Sequence, residues 1–64
     1  MSVGENIKRL REGAGLTQQE LADKVGVGRT WIAQIERGAK CPSIVFSAEL
    51  AQVLGCSIDE LLKK

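Results

Sequence analysis

Histidine is absent from this 64-residue chain, and cysteine occurs only as Cys41 and Cys56. The two thiols form no CxxC pair and have no histidine beside them, so a zinc site lacks ligands and no metal is expected. No signal-peptide pattern is present, which points to the cytoplasm, where thiols stay reduced. Two free cysteines are therefore expected, with Cys56 as a small core residue. No apolar run is long enough to span a bilayer, so no membrane partner is expected. Nor is there a nucleophile elbow, a phosphate-cradling glycine loop or a metal ligand set. The acids Asp23, Glu36, Asp59 and Glu60 are scattered over different predicted helices. The chain thus reads as no enzyme, with no cofactor and no small-molecule ligand. Strand signals are missing too: there is no hairpin dipeptide and no alternating run of β-branched residues. Finally, the charge has no strong sign. Nine Lys and Arg face eight Asp and Glu, for a net +1, where nucleic-acid-binding domains are often far more basic. The distribution is uneven, however. Lys8, Arg9, Arg11, Lys24, Arg29, Arg37 and Lys40 lie in the first two thirds, while Glu49, Asp59 and Glu60 lie in the last with only Lys63 and Lys64.

Four glycines, at 15, 26, 38 and 55, divide the sequence into five helical pieces. At this length the chain is one domain near the lower limit for independent folding. Residues Ser2 to Ala14 predict a first helix, with a capping box between Ser2 and Glu5 and an apolar stripe of Val3, Ile7 and Leu10. Thr17 with Glu20 is a second capping box and opens helix two, Thr17 to Lys24, whose apolar positions include Leu21, Ala22 and Val25. Gly26 can take the left-handed conformation that ends it. Only Val27 and Gly28 precede the next periodic run, Arg29 to Arg37. Two helices that close must cross steeply, as in a helix-turn-helix. Pro42 suits the start of helix four, about Ser43 to Leu54, with a stripe of Ile44, Leu50, Ala51 and Leu54 widened by Phe46 and Val53. Ser57 with Glu60 opens a last short helix, where Ile58, Leu61 and Leu62 are the apolar positions. The fold class is all-α: a compact five-helix bundle with a helix-turn-helix at helices two and three.

Helix three has two distinct sides. At about 100° per residue from Arg29, Ile32 and Ile35 fall near 300° and 240° and face inward. Arg29, Thr30, Ala33, Gln34 and Arg37 fall between about 0° and 140°, with no acid among them. Glu36, near 340°, and Trp31, near 200°, stand on the two borders. Arginine can pair with guanine, glutamine with adenine, and threonine can use its hydroxyl or methyl group, so the outer side suits base edges. A solvated polar face has the same composition. The turn ahead of the helix favours DNA.

As a set, Gly-Leu-Thr-Gln at 15–18, Glu-Leu-Ala at 20–22, Ile-Glu-Arg-Gly at 35–38 and Leu-Gly-Cys-Ser-Ile-Asp-Glu-Leu at 54–61 resemble the Xre/Cro/phage-repressor helix-turn-helix family. The Arg29-Thr30-Trp31 opening also looks like that of restriction-modification controller proteins. The resemblance spans about Ile7 to Leu62 and implies that helix three enters the major groove of double-stranded DNA. By position, Arg29, Thr30 and Gln34 would read bases, joined by Trp31 if its ring packs on a sugar or thymine methyl rather than on the bundle edge or a dimer partner. Gln18 and Gln19, at a helix N-terminus that favours anions, would hold phosphate with Arg37 and Lys40. Arg11 and Glu36 would form a structural ion pair. Many relatives carry Ser or Thr where this chain has Gly28, which removes a side-chain cap from helix three.

The resemblance also implies a homodimer on a palindromic site, joined through helices four and five and the loops beside them. Ile44, Val45 and Phe46 are consecutive, so one helix cannot turn all three inward, and an exposed apolar residue there would mark a partner surface. Alternatively, Phe46 reaches under helix one. The expected function is a sequence-specific transcriptional regulator of repressor or controller type. A protein-interaction module or an antitoxin of the same fold is the rival reading, supported by the near-neutral charge.

Overall fold

Residues 3–62 are described by a computed structural model, and they coil into α1 (Val3–Gly13), α2 (Gln18–Val25), α3 (Arg29–Glu36), α4 (Ile44–Leu54) and α5 (Ile58–Leu62). No strand occurs among the described residues. Local chemistry sets most of the ends. Thr17 caps α2 from outside it: its hydroxyl accepts from the Glu20 amide at 3.1 Å, and the Glu20 carboxylate accepts from the Thr17 amide at 2.8 Å. At the other end Gly26 sits at φ 79°, a region costly for any residue with a Cβ. It lets the amides of Gly26 and Val27 both turn back onto the Ala22 carbonyl. Only Gly26, Val27 and Gly28 separate α2 from α3, and the two helices pack against each other. The box expected between Ser2 and Glu5 lies outside the described residues.

Several ends differ from expectation by one residue, α2 among them, which runs Gln18–Val25 instead of Thr17 to Lys24. The first helix stops at Gly13, not Ala14. The third stops at Glu36, and Arg37 is its C-cap rather than its last residue. α4 begins at Ile44 rather than Ser43, with Pro42 just ahead of it, because the Ser43 hydroxyl accepts the Phe46 amide at 3.2 Å and so claims the cap position.

The helices wrap one apolar core of Ile7, Leu21, Ala22, Ile32, Ile35, Leu50 and Leu61. Burying each large aliphatic side chain stabilises the bundle by about 1.5–3 kcal/mol. α3 is held against both α2 and α1, while α5 closes the far side against α1 and α4. Two apolar residues expected inside are not. Ile44 is 71% exposed and Ile58 36%, because each begins its helix and overhangs the core. Val45 is exposed as well, at 73%. Phe46 is the one of its trio that turns in: it is half-buried, packs against the core and meets the Trp31 ring.

Polar and small residues complete the packing. Asn6, fully buried, donates from Nδ2 to the Leu61 carbonyl at 3.0 Å and ties α1 to α5. Gly4 lies where α1 crosses the end of α3. Cys41 and Cys56 are free thiols, the first exposed and the second half-buried. Burial, and then the charge of Glu60, push the Cys56 thiol above its usual range.

Candidate nucleic-acid interface

Gly28 holds an extended backbone at φ −78° and offers α3 no side-chain cap. The helix begins at once with Arg29 and Thr30, both exposed. Gln34 lies one turn on and is half-buried. Arg37 and Lys40 are exposed just past the helix end, where the amides of Ala39 and Lys40 fold back onto the Gln34 carbonyl. Among the described residues, no ion pair or side-chain hydrogen bond engages Arg29, Thr30, Gln34, Arg37 or Lys40. The outer side of α3 therefore presents uncompensated cations and free donors.

The one acid of α3 is withdrawn from that surface. Glu36 has a side chain 4% exposed, and its carboxylate takes three donors. Arg11 donates from Nε to Oε2 at 2.6 Å and from Nη2 to Oε1 at 3.2 Å, a forked pair. Gln18 donates from Nε2 to Oε1 at 3.1 Å. Arg11 also donates from Nη1 to the Leu16 carbonyl at 2.7 Å. One buried charge pair thereby joins α1, the loop before α2, α2 and α3. The role of Gln18 in it has no local signal in the sequence, since the partners are eighteen residues apart. Half of the Gln18 amide donor capacity is thus directed inward.

Gln19 is exposed, and its amide nitrogen bonds Asp23 along the helix at 2.9 Å. The backbone amides of Gln18 and Gln19, in the first turn of α2, have no acceptor among the described residues. Such donors suit an anion. Trp31 is half-buried at the border of α3, with its ring 4.2 Å from that of Phe46 and turned 77° to it. The structure thus sets Arg29, Thr30 and Gln34 on α3 with Arg37 and Lys40 just past its end, sets Gln18 and Gln19 on the helix packed against it, and gives Trp31 a neighbour within the bundle. No cluster that would hold a metal ion occurs among the described residues. None of their helices is long and apolar enough to cross a membrane.

This arrangement has known counterparts. An uncharacterized HTH-type transcriptional regulator, y4dJ, of Sinorhizobium fredii is 42% identical over 60 residues, covering 94% of this chain and 78% of that protein. The P22 c2 repressor, solved in complex with a synthetic operator, superposes with a TM-score of 0.91 at 35% identity over 98% of this chain and 96% of its own. The restriction-modification controller protein C.AhdI from Aeromonas hydrophila gives a TM-score of 0.88 at 33% identity, over 94% of this chain and 91% of its own. Curated relatives are spanned over 43% to 79% of their own lengths. The helix-turn-helix family pattern covers residues 7–61, and the chain belongs to that family.

Proposed function

We propose that this chain is a sequence-specific transcriptional regulator, one DNA-binding domain that lays α3 in the major groove of double-stranded DNA. The observation that carries the reading is the sorting of charge on α3 and just past its end: Arg29, Arg37 and Lys40 stand free at the surface while Glu36 is locked inside. That P22 c2 repressor was solved on an operator supports it. Arg29 would fork onto a guanine, Gln34 onto an adenine, and Thr30 onto a neighbouring base edge. Gln18 and Gln19 would offer their backbone amides to one phosphate, and Arg37 and Lys40 would flank another, fixing register. Two copies would join through α4 and α5, where Ile44 and Val45 are exposed. A two-fold pair sets its reading helices about 34 Å apart on a palindrome. Regulation then follows from occupancy in the cytoplasm, by blocking or recruiting polymerase, without catalysis.

Anisotropy titrations of a palindrome selected from random DNA test this. Affinity is expected to fall with salt at a log–log slope near −0.9 per phosphate contacted. Arg29→Ala and Gln34→Ala are each expected to cost about 1–3 kcal/mol of discrimination at a single base pair. Loss of the salt dependence, or a preference untouched by both variants, would overturn the reading and favour a protein-interaction module or antitoxin. The net charge of +1 is what speaks for that rival.

A further inference from the structure

We infer that Trp31 is a positioning residue: set edge-on against Phe46, its indole is one of two flanking contacts that fix the roll of α3 about its own axis. The inference rests on the DNA-reading proposal above. α3 has eight residues, no side-chain cap, no acid in its first turn and no base in its last. A helix that short is marginal by itself, so its neighbours decide how it sits. Ile32 and Ile35 press it onto the core. Aliphatic contacts of that kind are non-directional and resist rolling poorly.

The flanks supply the direction. Relative to the midpoint of the two isoleucines, Glu36 lies about 70° to one side and Trp31 about 70° to the other. Glu36 is pinned by Arg11 and Gln18. Trp31 meets Phe46 with ring centroids 4.2 Å apart, turned 77° into the edge-to-face orientation that aromatic quadrupoles favour. Phe46 is itself anchored, since its amide is bonded by the Ser43 hydroxyl and its ring packs on the core. Side-chain tips lie about 5–6 Å from a helix axis. A roll of about 20° thus moves them by about 2 Å, more than the distance tolerance of a hydrogen bond. Without the Trp31 flank, Arg29, Thr30 and Gln34 would all miss their base edges together.

Phe46 lies on another helix, so changing it tests the contact without removing a side chain of α3. The parent, Phe46→Leu and Phe46→Tyr proteins are compared on the selected palindrome, on each of its single-base variants and on scrambled duplex, well below the melting temperature of each. Phe46→Leu is expected to lower the preference for the palindrome by about tenfold, spread over every position that α3 reads, with scrambled-duplex affinity and salt slope retained. Phe46→Tyr keeps the ring and is expected to keep the parent's preference. If Phe46→Leu loses thermal stability but keeps the preference, or loses it at one base pair alone, the positioning role is overturned. A parent that shows no preference at all overturns the DNA-reading proposal itself.

Discussion

Gly4 and Glu36 lie at opposite faces of one packing contact, and each admits little change. A methyl group on Gly4 would overlap the Ile35 carbonyl oxygen and come within 2.7 Å of that of Glu36. Both neighbours are backbone, so α1 would have to lift. Gly4→Ala is expected to cost about 1–3 kcal/mol, as overpacking does, in a urea titration. Gly13→Ala, where an added methyl meets nothing within 4 Å, is expected to be neutral or to stabilise by up to about 1 kcal/mol. The Glu36 carboxylate balances an arginine whose side chain is 10% exposed. Glu36→Ala strands that guanidinium, and breaking a buried pair in this way costs about 3–5 kcal/mol. For a domain of this size each kcal/mol shifts the melting temperature by about 4–8 °C. Calorimetry is therefore expected to show a fall well above 10 °C, and a midpoint equal to the parent's would show the pair to be dispensable.

Among the elements, α3 is the least self-sufficient, and Gly28 is the reason. Its backbone conformation suits any residue and nothing lies near its Cβ position. Gly28→Ser is expected to stabilise the bundle by about 0.5–1 kcal/mol, from a cap and from a less flexible unfolded chain, read as a higher denaturation midpoint. Such ends were legible in the sequence, because a cap or a left-handed glycine acts within four residues. Helices two to four could be placed to within a residue or two for that reason. The two sides of α3 were legible from its period. What escaped was long-range. Gly4 and Asn6 look like ordinary helix positions until α3 and α5 are brought against them. The run Ile44-Val45-Phe46 fits more than one face, so the exposure of Ile44 followed only from how α4 overhangs the core. The Arg11–Glu36 pairing came from family likeness, and the Gln18 bond onto it had no forerunner.

For the whole molecule, the proposed assembly turns on the exposed pair at the start of α4. Ile44 is 71% exposed, so Ile44→Lys should leave the fold intact. If two copies meet there, the variant is expected to sediment as a monomer and to bind a full palindrome no better than a half-site. Unchanged sedimentation as a dimer would move the interface elsewhere. The ionic knot around Glu36 bears on a different matter. It pairs α1 with α3 and adds the Gln18 amide of α2, so neither α1 nor α3 can swing out alone without leaving a bare ion in the interior, and α2 cannot do so without taking a donor from the Glu36 carboxylate. A ligand that docks on the outer side of α3 meets a surface already rigid, and little of the binding energy is consumed in freezing it.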